Sequence, residues 1–410
     1  MRISKTNIPV VVLSCQLAAL AIMRSLGSLG IPVYGVDKDA QSPGMFSRYC
    51  RRRFVADFRP ARPAEFLAYL VRVREEIGRP CLLIPTSDES AEFVTHHGEE
   101  LSRYFIFPKN DPATIKKLVS KKEMYHLALE YGVPTPTAIF PSNLSEVLAY
   151  RQQAVFPVMI KGIDGHRLEQ RTGKRMMIVS NGDELIENYK VLAADDADNI
   201  MLQEYIPGGD DQVYIFNGYF DEQSRCLAAF TGRKIRQHPV HVGCASLGET
   251  LWVPEVAETT INFMQAIRYR GILDIGYRLD PRDGRYKVLD INPRIGQAFR
   301  LFTSENDDDV ARIAYLDLTG QPMPAVTPRI NRRWVIEDMD LTSSLDYRRE
   351  GILTFGQWLR SFRNLEEGAW FSLRDPMPFL VMLWRVFLRS CRWLGKRLPG
   401  PVSKTRPATD

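Results

Sequence analysis

Asp290 and Asn292 lie two apart in the run Val288-Leu289-Asp290-Ile291-Asn292-Pro293-Arg294. Side chains alternate along a strand, so the acid and the amide point to one face. Pro293 has no N–H for a ladder and ends the strand, leaving Arg294 just beyond it. A hard cation such as Mg²⁺ takes a few oxygen ligands and shares the rest of its shell with phosphates and water, and an Arg beside it can neutralise the same phosphates. A buried hairpin closing in an ordinary loop would use the same residues. Lys161 follows four apolar residues and Pro157, an unfavourable place for an ammonium unless it meets an anion. That points it at phosphate. In a strand Lys234 and Arg236 also share a face, and fixed cations there suit a phosphoryl group in transfer. Cys244 has no adjacent His-Asp pattern to activate it as a nucleophile.

The elements that must position these residues follow from local pattern. Two apolar, β-branched runs at 272–279 and 286–291 flank Asp280-Pro281-Arg282-Asp283-Gly284, whose turn chemistry predicts a hairpin. Near the start, strands at 9–13 and 31–36 enclose a helix at 18–29, a βαβ unit. Its first turn lacks the glycines that let a dinucleotide approach, so Asp37 is either a ribose ligand or a plain strand-end acid. A helix at 64–77 and a strand at 81–84 lead to Thr86, Ser87, Asp88 and Glu89, placed where substrates meet an α/β sheet. Helix capping accounts for the same four residues. Residues 110–131 read as one helical region, followed by an extended linker at Pro134 and Pro136. Strands at 212–216 and 226–231 are expected around an Asn217-Gly218 turn. At the other end, residues 378–398 form a helix on which Arg385, Arg389, Arg392 and Lys396 stack along one face, with Leu380, Leu383, Trp384, Phe387, Leu388 and Leu394 over the rest. Such a helix lies in an anionic membrane interface or docks on the protein.

Strand, glycine turn and a second strand ending in [D/E]-x-N-x-R resembles the metal-binding hairpin of the ATP-grasp superfamily. Three further signposts precede it in order: Ser120-Lys121-Lys122-Glu123-Met124-Tyr125, Phe156-Pro157-Val158-Met159-Ile160-Lys161, and Gln203-Glu204-Tyr205-Ile206-Pro207-Gly208-Gly209-Asp210. The similarity spans residues 116–318 and is nearest to the ATP-dependent carboxylate-amine ligases, the group that includes D-aspartate ligases. It implies an α/β ATP-grasp fold with three parts: a Rossmann-like domain over 1–115, an ATP-grasp body over 116–320, and a C-terminal extension with the basic helix over 321–410. It also implies ATP with Mg²⁺ or Mn²⁺, small carboxylate and amine substrates, and an ADP-forming, C–N bond-forming activity. By the same resemblance Lys121 and Lys161 meet the nucleotide phosphates. Gln203, Glu204, Tyr205 and Ile206 line the adenine, and Asp210 holds the ribose. Asp290 and Asn292 take the metal, and Arg294 with Lys234 or Arg236 serves catalysis. Residues 162–174, with His166, Arg167, Arg171 and Lys174, correspond to a flexible phosphate-covering loop. The family's second metal acid aligns with Gly276, which cannot ligate through a side chain; Asp274 and Asp280 lie on the same strand face, and Asp274 is the expected substitute because Asp280 is drawn toward the turn. That departure leaves a nucleotide-binding regulatory or assembly protein as the rival reading.

Composition sets outer bounds. With 410 residues, 45% hydrophobic and 25% charged, the chain can build two or three cored domains. A formal charge of +5 is too small for this size to imply nucleic acid, and no RNP-like, helix-turn-helix-like or zinc-finger pattern accompanies it. The six cysteines lack CxxC spacing, which predicts reduced thiols and a cytoplasmic location. The first twenty residues run straight into a strand and helix, unlike a cleavable leader. No run approaches the about 20 apolar residues of a membrane span.

Overall fold

Three β-sheets carry the chain in the computed structural model, which describes residues 3–57 and 62–397, without the side chains of 166 and 390–397. The first sheet holds β1 (Val10–Leu13), β2 (Val33–Asp37), β3 (Cys50–Val55), β4 (Cys81–Pro85) and β5 (Phe105–Ile106), parallel in the order β3-β2-β1-β4-β5. The unbroken apolar run of β1 needs cover on both faces. Val10 and Val12 pack towards the helix Leu17–Gly27, while Val11 and Leu13 pack towards Phe66 and Leu70 of the helix Pro63–Ile77. The residue pattern does not announce β3: three arginines run through it, and it survives because it is an exposed edge strand. Asp37 is no ribose ligand. It is buried and accepts from Cys15 N at 2.5 Å and Ser42 Oγ at 2.9 Å, which closes the first βα turn.

The second sheet is antiparallel, with β6 (Ala138–Ile139), β7 (Val158–Gly162), β8 (Met176–Val179) and β9 (Ile200–Glu204) in the order β6-β9-β7-β8. The helical region before it is two helices, Pro112–Val119 and Lys121–Glu130. Ser120 breaks them by capping the second through Glu123 N. Between β7 and β8 stands a helix, Gly165–Thr172, where the resemblance implied an open loop.

The third sheet contains β10 (Val213–Phe220), β11 (Cys226–His238), β12 (Cys244–Thr250), β13 (Gly271–Asp280), β14 (Arg285–Asn292), β15 (Arg333–Val335) and β16 (Leu365–Gly368), ordered β14-β13-β10-β11-β12-β15-β16. The expected hairpin is present, with Gly284 at φ 71° in its turn. The expected Asn217-Gly218 turn is absent. Both residues are interior to β10, where Asn217 donates to Leu273 O, and the chain reverses at 221–225 instead, with Ser224 at φ 61°. Burial of all eight β10 residues between two neighbours outweighs the local turn preference of Asn-Gly.

One apolar core joins the helix Leu17–Gly27, the third sheet through Tyr219 and Phe230, and the helix Val310–Leu318. The parallel sheet is thereby held against the hairpin, and the cap of the helix Asp88–His96 lands beside Arg294.

Candidate active site

The hairpin register sets Asp274 opposite Asn292 and Gly276 opposite Asp290, so all four positions share a face. A bulge one step further, between Gly276 and Tyr277, leaves this part of the ladder regular. Asn292 Nδ2 donates to Asp290 Oδ2 at 3.0 Å, which confirms that the acid and the amide are neighbours. Gly276 has a steric reason. A Cβ there would stand 2.5 Å from Asp290 Oδ1, so the absent side chain is what lets the Asp290 carboxylate lean across the sheet. Asp274 supplies a second carboxylate one register step away, and Asn217 on β10 stands opposite it in the ladder on the other side. Burial, then the Asp290 charge, pushes the Asp274 carboxyl up to about 6, against the pull of Arg294 and Lys234. Asp280, the alternative on that face, is turned to the hairpin end and paired with Arg282 and Lys287.

Lys121 and Lys161 reach the same centre from different elements. Lys161, at the end of β7, is buried and donates to Gln203 Oε1 at 3.1 Å. Burial, with Lys121 adding, pulls its ammonium down to about 8, while Asp290 opposes the shift. Lys121 opens its helix and donates to Ile163 O at 3.1 Å; burial lowers its pKa, and Asp290, Asp164 and Asp88 counter that. Each lysine therefore senses Asp290.

Arg294 Nε donates to Asp88 Oδ1 at 2.5 Å, and Nη2 to Asn292 Oδ1 at 3.3 Å. The helix that follows β4 of the first sheet is thus tied to the hairpin end by one guanidinium. Asp88 opens its helix, and Ser87 caps it in a reciprocal capping box with Ser90, so capping explains Ser87 but only part of Asp88.

Other expected residues fall elsewhere. A bulge on β11 between Lys234 and Arg236 breaks the alternation that would have put both on one face. Lys234 Nζ donates to Gly243 O at 2.8 Å and acts electrostatically on Asp274. Arg236 is turned away: it is 4% exposed and forks onto Asp340 at 2.8 and 2.9 Å. Gln203 is not open to a ligand as a free amide, because its Oε1 also accepts from Tyr125 Oη at 3.0 Å. Glu204 pairs with Arg282 and Lys287, and Ile206 O accepts from Arg278 Nε at 2.9 Å. Tyr205 lies under the Arg278 guanidinium. Asp210 is held by the Tyr347 hydroxyl and by His241, whose pKa is raised by hydrogen bonding to Glu350 and Asp210 against the effect of burial. In the helix Gly165–Thr172, Arg167 pairs with Asp196 and Arg171 donates to Ala194 O at 2.7 Å, so both side chains are engaged on residues 194–196. The His166 side chain lies outside the described residues.

Sequence reasoning missed three supporting side chains: Tyr125, which fixes Gln203 under Lys161; Asn217, which was assigned to a turn; and Tyr347, which grips Asp210 from the C-terminal segment. Tyr125 stands inside a quoted motif, the one place a signal existed. Among the described residues no three His, Cys, Asp or Glu side chains gather as a metal cage. Two carboxylates and an amide match instead a cation that shares its shell with a ligand.

No family model matches the chain. Over 248 residues it is 27% identical to D-aspartate ligase from Enterococcus faecium (strain Aus0004), covering 58% of each chain. It therefore spans little more than half the length of that curated relative. Among solved structures, the biotin carboxylase domain of Hydrogenobacter thermophilus 2-oxoglutarate carboxylase, with MgADP, ADP and bicarbonate, superposes with a TM-score of 0.59 at 16% identity, over 80% of this chain and 74% of that one. The fold is ATP-grasp. The L-amino acid ligase from Bacillus licheniformis shares it, with a TM-score of 0.58 at 14% identity over 80% and 79% of the two chains. The Asp290 hairpin belongs to the seven-stranded third sheet.

Proposed function

We propose that the chain is an ADP-forming ligase that activates a carboxylate as an acyl phosphate and joins it to an amine or similar nucleophile. The observation that carries this is the convergence of Lys121, Lys161 and Asp290, from three separate motifs, on one polar centre. The fold, the MgADP of one solved relative and the ligase names of two relatives support it. ATP would lie between the two halves of the body, its adenine and ribose near Glu204, Tyr205, Ile206 and Asp210 and its phosphates at Lys121 and Lys161. Mg²⁺ or Mn²⁺ fits Asp290, Asn292 and Asp274, hard oxygen donors beside a glycine that leaves the first carboxylate room. When bound, the cation would draw charge from the phosphate oxygens. Lys161, aimed by Gln203, and Lys234 would present fixed charge to the reacting phosphoryl group, and Arg294 would complete the set while anchored by Asp88. No covalent nucleophile is needed when positioning and charge neutralisation supply the rate. The division at 1–115, 116–320 and 321–410 is part of this proposal, with β15 and β16 of the last segment continuing the body's larger sheet.

The test is a panel of carboxylates and amines with ATP and Mg²⁺, read by phosphate release and by the mass of ligated product. A pair that releases phosphate only when both members are present supports the ligase. Nucleotide binding with no responding pair would favour the regulatory reading that Gly276 raised.

Proton linkage gives a second expectation. Lys161 sits near 8 in the free protein, so its charge is present below that pH and fades above it. ADP affinity should therefore weaken as pH rises from about 7 to about 9, and Lys161→Arg, which stays charged, should flatten the curve. Calorimetric titration of ADP checks this; a flat wild-type profile would contradict the assigned contact.

We also propose a membrane contact. The C-terminal helix Met377–Arg397 leaves Met377, Leu380, Leu383, Trp384 and Phe387 between 45% and 59% exposed, a continuous apolar stripe. From Pro376 to Thr409 the sequence has seven Lys and Arg and no Asp or Glu, which complements anionic headgroups. Among the described residues no helix is long and apolar enough to cross a membrane. The chain should float with phosphatidylglycerol vesicles and not with phosphatidylcholine vesicles, and Trp384→Ser with Phe387→Ser should sink it. Dimers in place of flotation would assign the stripe to a second copy and overturn the lipid contact.

A further inference from the structure

The C-terminal helix packs Phe379, Met382 and Val386 on the core with Arg385 beside them, while the large apolar residues named above face out. Arg385 Nη1 donates to Asp39 Oδ2 at 2.6 Å and to Gln41 O at 2.8 Å, just past the carboxyl end of β2. Arg389, one turn on, stands at the rim of the space this creates and has no hydrogen bond or ion pair among the described residues. That space is a cleft of about 350 Å³, walled by the helix on one side and by Gln16 and Gln41 of the parallel sheet's loops on the other, with Gln297 and Asp338 at its base. Its size is that of a small-molecule site, and it lies at the carboxyl ends of parallel strands.

Two contacts lead from the cleft to the polar centre. Gln297 follows Gly296, where a Cβ would stand 2.4 Å from Asp274 Oδ2. On the other side Met339, which also lines the cleft, has its sulfur 3.8 Å from Cys244 Sγ, and Cys244 feels the Lys234 charge. The cleft is therefore joined to Asp274 through Gly296, the neighbour of Gln297, and to Lys234 through Met339 and Cys244. Its surroundings are the Arg389 guanidinium, which has no ion pair among the described residues, three side-chain amides, apolar surface from Leu17, Met339 and Leu388, and at the base the Asp338 carboxylate, which accepts from Trp370 Nε1 at 2.9 Å, so an anionic group belongs at the Arg389 rim and not at the base.

We propose that this cleft binds one of the two non-nucleotide substrates, and that this substrate carries an anionic group, carboxylate or phosphate, held by Arg389 away from the reacting atoms. The C-terminal segment then selects substrate as well as facing outward. Arg389 is a binding residue here and touches no reacting atom; Arg385, locked on Asp39, positions the helix that presents it.

The binding arm needs no turnover. The full chain without nucleotide is titrated by calorimetry with succinate, N-acetylglycine and glycerol phosphate, against chloride at matched ionic strength. At least one probe should bind wild type, with affinity falling tenfold or more in Arg389→Ala and partly restored in Arg389→Lys. Succinate and glycerol phosphate separate the carboxylate from the phosphate source. Equal binding to wild type and Arg389→Ala, or no binding of any probe, overturns the proposal. The kinetic arm rests on the ligase reading: Arg389→Ala should raise KM for one substrate tenfold or more and leave KM for ATP unchanged. Probe binding without turnover would keep the cleft and remove the ligase, whereas turnover with an unchanged KM in Arg389→Ala would do the reverse.

Discussion

Lys161→Ala and Asp290→Ala should each lower substrate-dependent ADP release by a factor on the order of 10²–10³, the range seen when one preorganised charge is removed from a transition state. Lys161 is held in place by the Gln203 oxygen, which Tyr125 fixes in turn, so its charge is positioned before any ligand arrives. Its burial keeps water from screening that charge. Asp290 is exposed and contributes little to packing, so its alanine variant should fold normally and show the loss as weakened Mg²⁺ dependence. Coupled-assay rates across Mg²⁺ concentration, with circular dichroism as the folding control, make the measurement. Wild-type rates in either variant would remove that residue from the centre.

The second large effect is on stability. Arg236→Leu should lower the unfolding free energy by about 3–5 kcal/mol, the usual result of breaking a buried ion pair from one side. Asp340 would be left in the interior with Ser246 and the Trp358 indole as its remaining partners. Replacing both members, Arg236→Leu with Asp340→Leu, should be milder, because no unpaired charge remains. Urea unfolding reads the stability, and ADP release per folded molecule should stay near wild type. Lost turnover with unchanged stability would return Arg236 to the catalytic set and show that the bulge does not turn it away.

Arg236 marks where local pattern stops being informative. Alternation places side chains correctly along an unbroken ladder, as it does for Asp290 and Asn292, and it fails after one bulge, as it does between Lys234 and Arg236. Asn217-Gly218 failed for a related reason: the dipeptide favours a turn, but two flanking strands and a buried environment hold it straight. Arg278 and Arg300 are likewise occupied, by the carbonyls of Ile206 and Gly208 and by Asp309 with Glu367. The acidic partners of Arg300 lie close in sequence in one case and far in the other, and only folding selects them.

By itself the sequence determined the hairpin with its acid and amide on one face, the buried lysine near the end of β7, the βαβ start of the parallel first sheet, and the order of the ATP-grasp motifs. Each of these depends on periodicity, turn chemistry or a charge in an apolar run, which act over a few residues. The tertiary structure decided which cations are free, how Gly276 and Asp274 divide the place of one acid, and that Arg385 of the last helix is tied to Asp39. Those outcomes depend on which distant partners reach each side chain. Pairing across tens or hundreds of residues is set by the packing of whole sheets, which no short stretch of sequence encodes.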